Sequence, residues 1–117
     1  MRINLIVIRV SDIERSACFY QALGLVLIRE KHGSGPEHYS ADLEGTIFEL
    51  YPRSDPEGTS QVRLGLTVNQ LDRVVSACLT AGARLVAPPK ESPWGRRAVI
   101  EDLDGHKIEL TEGTKRS

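Results

Sequence analysis

The sequence has few of the residues that indicate a disulfide-stabilised or zinc-binding protein. It contains only two cysteines, Cys18 and Cys78, and three histidines in 117 residues. The cysteines have no CxxC spacing and no histidines cluster beside them, so neither a disulfide framework nor a zinc site is expected. Both cysteines fall within predicted helices, where we expect them to pack as small hydrophobic residues.

The sequence also lacks a long apolar segment. The N-terminal apolar run, residues 3–8, is too short to span a bilayer, and it is followed by Arg9 and Asp12 rather than by a small-residue cleavage site. We therefore expect a soluble, cytoplasmic protein that does not interact with membranes.

An excess of charge of one sign is absent as well. The chain has 15 Lys and Arg residues against 16 Asp and Glu residues, a formal net charge of -1, and its basic residues are scattered. Proteins bind a phosphate backbone with clustered Lys and Arg, so nucleic acid is not an expected partner. With 40% apolar and 26% charged residues, the composition is that of an ordinary globular protein, and this length predicts one modest domain.

What the sequence does contain is an internal repeat. VSDIERSACFYQALGLVLI, which begins at Val10, overlays VNQLDRVVSACLTAGARLV, which begins at Val68. Further along the chain, ADLEGTIFEL (41–50) overlays EDLDGHKIEL (101–110). A repeat of this length indicates that one structural unit is used twice.

Each copy predicts the same order of elements, βαβββ. The runs INLIVIRV and QVRLGLTV are rich in β-branched residues and predict strands, whereas LDRVVSACL places its apolar residues on one helical face. Ser11 or Asp12, and Asn69, are the expected helix N-caps. Gly24 and Gly82 are the expected helix ends.

Two predicted hairpins complete the units. LVLIRE and ARLVA predict the strand after each helix, and the hairpins that follow are expected to turn at Glu44-Gly45 and Asp104-Gly105. The polar, Pro- and Gly-rich segment between the copies predicts a linker. We therefore expect a single domain, 1–117, made of units 1–52 and 61–113 joined by linker 53–60.

The repeat and its element order resemble the vicinal-oxygen-chelate superfamily, which includes glyoxalases, bleomycin-resistance proteins and extradiol dioxygenases. The resemblance rests on VSDIERSACFYQALGL after the first strand and on DLDGHKIEL near the end, and it covers almost the whole chain. It implies an α+β fold in which two βαβββ units form a curved mixed sheet around a cleft, with the helices outside. Because members of the superfamily commonly associate across a twofold axis, we also expect a homodimer.

Side chains alternate between the two faces of a strand, which separates the residues expected to face the cleft from those that cover the helices. The apolar residues of the first and last strands of the units are expected to cover the helices: Leu64, Leu66, Val68, Phe48, Leu50, Ile108 and Leu110. The residues expected to face the cleft and bind a ligand include Leu5, Arg63, Glu49, Tyr51 and Glu109.

The resemblance also implies where a metal would bind. Metal-dependent members of the superfamily use four repeat-related positions, which in this sequence are Leu5, Glu49, Arg63 and Glu109. A leucine has no lone pair to donate and a guanidinium repels a divalent ion, so no metal cofactor is expected. Glu49 and Glu109, helped by water, are the fallback candidates for a weak divalent site.

Arg63 and Trp94 each have two interpretations. Arg63 forms either a structural salt bridge with Glu109 or Glu49 or a contact with an anionic ligand group. Trp94, in the loop segment PWG, either stacks on a ligand, as the resemblance implies, or packs on the protein or on a dimer partner. Tyr51 is a weaker aromatic candidate for ligand contact, as is Tyr39.

The three histidines match none of the superfamily's metal positions. His106 falls in the predicted Asp104-Gly105 turn and is expected at the surface. His32 and His38 lie in or beside the loop segment KHGSGPEH.

Two functions follow from these residues. The first is metal-free binding or sequestration of a small amphipathic molecule in the cleft. The alternative is a metal-dependent lyase or dioxygenase of the same superfamily that uses Glu49 and Glu109, with help from a residue such as His38.

Overall fold

The computed structural model describes residues 1–56, 59 and 61–113. The chain divides into two compact units, Met1–Thr59 and Ser60–Ser117. Each unit contains one helix and one four-stranded mixed sheet with the element order βαβββ. The predicted α+β fold of two repeated units is therefore confirmed.

The first unit has a sheet with strand order β1-β4-β3-β2. The β1 and β4 strands are parallel, and the other neighbouring strands are antiparallel. The strand β2 begins three residues later than the segment LVLIRE predicted. The elements are β1 (Leu5–Val10), α1 (Ile13–Leu23), β2 (Ile28–Glu30), β3 (His38–Leu43) and β4 (Thr46–Pro52).

The second unit repeats this topology with strand order β5-β8-β7-β6. Its first and last strands are again parallel. The third pairing, β6 with β7, has register shifts along its length. The elements are β5 (Arg63–Val68), α2 (Leu71–Thr80), β6 (Arg84–Lys90), β7 (Arg97–Glu101) and β8 (Lys107–Glu112).

The two helices begin differently although their sequences repeat. The α1 helix has Asp12 as N-cap, whose Oδ1 accepts hydrogen bonds from the backbone N–H groups of Glu14 and Arg15, both at 3.1 Å. The expectation that Asn69 caps α2 is wrong, because Gln70, with φ 54°, is the N-cap and its side chain does not cap the helix. Instead, the Leu71 N–H donates to Glu112 Oε2 at 2.8 Å, so a carboxylate from β8 satisfies this helix end.

Each unit buries its apolar side chains between its helix and its sheet. The sheet residues predicted to cover the helices are buried or half-buried, and Leu50, Ile108 and Leu110 have no exposed surface. Burial of such side chains is the main stabilising term for a small unit. The buried core of the described residues also includes Ile8, Val10, Phe19, Tyr20, Leu71, Val75 and Ile100.

The two hairpins differ in length, contrary to the sequence-based expectation. In the first unit, Glu44 and Gly45 have φ values of 54° and 101° and form a two-residue turn, as predicted for an acidic-Gly pair. In the second unit, Glu101 pairs with Lys107, so the connection is the longer loop 102–106. The predicted hairpin is present, but Asp104 and Gly105 lie within this longer loop instead of forming a two-residue turn as Glu44 and Gly45 do.

The longer loop has a buried polar core, which corrects the expectation that His106 lies at the surface. His106 has no exposed surface, and its Nδ1 lies 2.8 Å from Asp102 Oδ2. Asp102 Oδ1 accepts hydrogen bonds from the N–H groups of Asp104 and His106, both at 2.9 Å. The Asp102 carboxylate thus holds the loop together, and its contact with the His106 ring keeps that imidazole buried.

The two cysteines have different environments. Cys78 is buried, as expected, and burial raises the pKa of its thiol to about 11. The expectation that Cys18 packs inside is wrong, because Cys18 is exposed on α1. Both are free thiols.

Among the described residues, no helix has the length and apolar character needed to cross a membrane.

Candidate functional site

The candidate site residues of the first unit lie on the face of the sheet opposite α1. Leu5 is 51% exposed, Glu49 and Tyr51 are half-buried, and the alternating residues Phe48 and Leu50 are buried. Leu5 pairs with Ile47 in the parallel register of β1 and β4, so Leu5, Glu49 and Tyr51 share one face. This arrangement agrees with the alternation predicted from the sequence.

Glu49 and Tyr51 both contact His38, the first residue of β3. His38 Nε2 lies 3.8 Å from Glu49 Oε2, and the His38 ring stacks on the Tyr51 ring with centroids 4.3 Å apart and planes 9° from parallel. The Arg9 guanidinium lies 5.2 Å from the centroid of the Tyr51 ring. A layer of cationic, aromatic and imidazole groups therefore lines this face beside Glu49.

Two further residues, Glu30 and His32, extend this layer. Glu30 pairs with His38 across β2 and β3, and Glu30 Oε1 lies 3.3 Å from His38 Nε2. His32, in the connecting loop, has its Nε2 3.6 Å from the same oxygen. The metal-binding donor atoms of Glu30, His32 and His38 all lie within 4.8 Å of one another.

Sequence reasoning missed this grouping, although a signal for it was present. LVLIRE predicts a strand that ends at Glu30, and the hairpin predicted after it begins with EHYSADL, in which His38 is the second residue. In an antiparallel pair, residues at those ends face each other across the ladder. Tyr39, a weaker ligand candidate, lies instead near the helix, where its hydroxyl donates to Glu14 Oε1 at 2.7 Å.

The candidate site residues of the second unit centre on Glu109. Arg63 donates from Nε to Glu109 Oε2, and Arg97 donates from Nη2 to Glu109 Oε1 at 2.5 Å. The sequence left Glu109 and Glu49 as possible salt-bridge partners of Arg63, and in the structure the partner is Glu109. Arg97 was not among the candidate site residues identified from the sequence.

The charges around Glu109 favour its ionised form. Hydrogen bonds from Arg63 and then Arg97 lower the pKa of the Glu109 carboxyl, against a smaller opposing effect of burial. Two guanidinium groups around one carboxylate leave a net charge of +1. The Arg63 and Glu109 side chains are 49% and 33% exposed, so the surplus positive charge is accessible to solvent.

A second ion cluster lies on the same sheet. Glu101 accepts two hydrogen bonds from Arg84, at 2.9 and 2.8 Å, and one from Lys107 at 2.5 Å. These hydrogen bonds, with Arg84 contributing most, lower the pKa of the Glu101 carboxyl to about 2. In this cluster, too, two cations surround one carboxylate. Each of the two clusters therefore carries more positive than negative charge.

The four superfamily metal positions do not form a metal-ligand set in this chain. Leu5 offers no lone pair, and Arg63 is cationic. The carboxylate oxygens of Glu109 are each already bonded to a guanidinium, so a divalent ion there would have to displace arginine. Glu49 differs from Glu109 in that its described ionic contact is with the His38 imidazole rather than with a guanidinium. The residues present therefore do not fit a metal at these four positions.

Trp94 lies in a tight turn and is 77% exposed. The Gly95 N–H donates to the Ser92 carbonyl oxygen at 3.0 Å, and Ser92 Oγ accepts from the Trp94 N–H at 3.2 Å. Ser, Pro and Gly occupy their preferred positions in this turn, which holds the indole out into solvent.

A groove of ≈ 510 Å³ lies next to this turn and reaches Arg97. Its walls come from β6, the loop after it and β7, and include Val86, Pro88, Ser92, Arg97 and Val99. Its charged lining residues are Lys90, Glu91 and Arg97. A groove that combines apolar and charged walls suits a small amphipathic molecule.

Comparison with known proteins agrees with this geometry. Residues 2–110 match the family model described as the Glyoxalase/Bleomycin resistance protein/Dioxygenase superfamily. No curated protein matches the chain.

Solved structures with the same fold include three that cover nearly the whole chain. Hypothetical protein SA1046 from S. aureus is 26% identical, with 97% of both chains covered and a TM-score of 0.78. A glyoxalase/bleomycin resistance protein from Streptomyces sp. CB03234 is 26% identical, with 94% of this chain and 99% of that chain covered and a TM-score of 0.73. TnmS3, an antibiotic binding protein from Streptomyces sp. CB03234, is 24% identical over 97% of both chains, with a TM-score of 0.77, and shows likeness of fold alone.

The repeated βαβββ units and the family match over residues 2–110 lead to one conclusion: this chain belongs to the Glyoxalase/Bleomycin resistance protein/Dioxygenase superfamily.

Proposed function

We propose that this protein binds a small amphipathic molecule on the sheet faces opposite its helices, without a metal at the four superfamily positions. In this proposal Arg63 and Glu109 recognise the polar end of the ligand, with Arg97 added to the residues expected from the sequence. Trp94, in the same unit, contacts its apolar or aromatic body. In the first unit, taken by itself, Leu5, Glu49 and Tyr51 offer a second candidate face with apolar, acidic and aromatic groups.

The observation that carries this proposal is the cluster of Arg63, Arg97 and Glu109. The two guanidinium groups are fixed by one carboxylate and still carry one uncompensated positive charge. Arginine N–H groups that are held in position bind a carboxylate or phosphate at little entropic cost. An anionic group on the ligand would therefore find a preorganised partner here.

Apolar surface beside this cluster supports an amphipathic rather than a purely ionic ligand. Trp94 is 77% exposed, and the groove that includes Arg97 also includes Val86, Pro88 and Val99. Exposed indole groups commonly mark contact with a partner because their burial is strongly favourable. TnmS3, which has this fold, is an antibiotic binding protein, so the fold is compatible with holding such a molecule.

A thermal-shift screen of small anionic aromatic compounds, followed by titration of any hit, tests the proposal. We expect the ligand to quench Trp94 fluorescence and Arg63→Ala to weaken binding by roughly 1–3 kcal/mol, the range for a lost charged hydrogen bond. Arg84→Ala is the matched control, because Arg84 also bonds a glutamate on this sheet but lies outside the proposed site. It should leave the affinity unchanged.

One result of this titration would refute the proposal. A verified ligand that binds with unchanged affinity to folded Arg63→Ala, Arg97→Ala and Trp94→Phe proteins would place the binding site elsewhere and refute the assignment. Circular dichroism of each variant establishes that it is folded before the affinities are compared.

The second candidate, a metal-dependent lyase or dioxygenase, is favoured by one observation. His38 Nε2 lies 3.8 Å from Glu49 Oε2, which gives that carboxylate an imidazole neighbour suited to metal binding. This function requires a metal that depends on Glu49 and Glu109 together. Loss of bound metal in both Glu49→Gln and Glu109→Gln would support it over metal-free binding.

A further inference from the structure

We propose that Glu30, His32 and His38 form a site for a divalent transition metal such as Zn²⁺, wholly within the first unit. The site consists of two imidazole nitrogens and one carboxylate oxygen, all within 4.8 Å of one another. It shares none of these residues with the four superfamily positions.

The spacing of the donor atoms fits the proposed ion. Zinc binds nitrogen and oxygen at 2.0–2.2 Å in tetrahedral geometry, which places neighbouring donor atoms about 3.4 Å apart. Glu30 Oε1 lies 3.3 Å from His38 Nε2 and 3.6 Å from His32 Nε2. One ion could therefore reach all three donors with small side-chain adjustments.

The orientation of His38 points to a cation. His38 is 1% exposed, and its Nδ1 lies 3.2 Å from the Pro36 carbonyl oxygen. A carbonyl oxygen only accepts, so this hydrogen bond places the proton on Nδ1 and leaves a lone pair on Nε2. A backbone carbonyl at the other nitrogen is the usual partner of a metal-binding histidine.

The groups that face this lone pair are themselves electron-rich. Besides Glu30 Oε1, Glu49 Oε2 lies 3.8 Å from His38 Nε2. The Tyr51 hydroxyl, which can donate a weak hydrogen bond to Nε2, lies 3.5 Å away. Two carboxylates directed at an imidazole lone pair repel it unless a cation lies between them. A metal ion would bind the two carboxylates and both imidazoles at once.

The backbone holds two of the three ligands in place before any ion binds. Glu30 and His38 are paired residues at the ends of β2 and β3, so the strand ladder sets their distance. His32 comes from the connecting loop and is 74% exposed, so it can close on the ion. Three protein ligands leave at least one coordination position for water or for a ligand of the protein.

This site revises the expectation that the protein lacks a metal, which rested on the four superfamily positions alone. Two histidines and a carboxylate suit Zn²⁺, Fe²⁺ or Co²⁺ better than Mg²⁺ or Ca²⁺, which prefer oxygen. Its location beside Glu49 and Tyr51 puts the ion on the face where we propose that a ligand binds.

The test is a titration of chelator-treated, tag-free protein with Zn²⁺ by calorimetry, with Co²⁺ absorption as a report on nitrogen coordination. We expect one equivalent to bind. Glu30→Gln and His32→Ala should each weaken binding beyond the roughly 10–100-fold loss that follows removal of an outer-shell partner. Glu91→Gln, which changes an 81% exposed carboxylate in the second unit, is the control and should have no effect.

His38→Ala should abolish binding, and circular dichroism checks its fold because His38 is buried. Glu30→Gln and His32→Ala change more exposed groups, so they test the site even if His38→Ala does not fold. The proposal is overturned if Zn²⁺ does not bind. It is equally overturned if binding survives both exposed variants, or if it is lost in Glu109→Gln.

Discussion

His38 and Arg97 occupy the same position in the two units. Ser40 pairs with Glu49 and Val99 pairs with Glu109, and His38 and Arg97 each lie two residues before the paired strand residue. Each side chain contacts the repeated glutamate, at 3.8 Å for His38 and 2.5 Å for Arg97.

The chemistry of the two glutamates therefore differs although the sequence repeats them. The imidazole beside Glu49 belongs to a group of metal-ligand side chains, whereas the guanidinium beside Glu109 joins Arg63 in an anion-attracting cluster. One fold, used twice, thus presents a candidate cation site in the first unit and a candidate anion site in the second.

Substitution of Arg97 should raise the pKa of Glu109. Arg63 and Arg97 lower this pKa in the folded protein, so Arg97→Ala removes one of two stabilising cations and shifts the pKa back toward its ordinary value of 4.5. Carbon-detected NMR of the carboxyl resonance measures the shift. Arg84→Ala should leave Glu109 unchanged and raise the pKa of Glu101 instead, and the reverse pattern would contradict the assignment of partners.

The lowered pKa of Glu109 also predicts how the stability of the protein changes as the pH falls. A carboxyl whose pKa is lowered on folding contributes stability above its unfolded pKa, near 4.5, and that contribution is lost as the pH falls through the lower, folded pKa. Glu109→Gln should therefore lower the melting temperature at pH 7 by more than it does below the folded pKa of Glu109. An effect that is equal at every pH would show that the ionised carboxylate contributes nothing.

Loss of Asp102 should destabilise the protein far more than loss of its sequence counterpart Asp42. Asp102 is buried and binds the His106 ring and two backbone N–H groups, so Asp102→Ala leaves several donors without their partner. Each such buried group costs about 1–3 kcal/mol, so the total should be about 3 kcal/mol or more. Asp42 is exposed and accepts from the Gly45 N–H at 2.7 Å, so Asp42→Ala should cost about 1 kcal/mol. Urea unfolding measures both values, and equal costs would refute the structural role of the Asp102–His106 pair.

Metal content should not depend on Glu109. Both oxygens of Glu109 are bonded to arginine, so Glu109→Gln should leave the zinc or iron content of purified protein unchanged by elemental analysis. Metal that disappears with this substitution would restore the superfamily positions as the metal site. His32→Ala is the companion variant, and it should lower any metal content.

We expect the protein to form a homodimer. Members of the superfamily commonly associate across a twofold axis, and exposed apolar side chains such as Val26 and Ile28, at 80% and 62%, would gain from burial between subunits. Sedimentation equilibrium at tens of micromolar measures the mass of the assembly. A monomer at these concentrations would count against the prediction, and Ile28→Lys is the variant that should weaken a dimer built on this surface.

The repeated unit can be recognised from the amino-acid sequence alone. Alternation of apolar and polar residues specified which side of each strand meets a helix, because a strand turns successive side chains to opposite faces. It also determined Arg63, Glu49 and Glu109 as residues of the opposite face, since a repeat in register preserves that alternation.

Only the tertiary structure decided which side chains those residues meet. The sequence repeat aligns His38 with Ala98, but the loop 102–106 is longer than the turn at Glu44-Gly45 and shifts the pairing by one residue, so the equivalent of His38 is Arg97. Such a shift moves every side chain of the strand to the opposite face of the sheet. It depends on the conformation of the connecting loop rather than on the local preferences of the strand residues. The burial of His106 likewise depends on the folded loop, in which the Asp102 carboxylate bonds both the ring and the backbone N–H of His106.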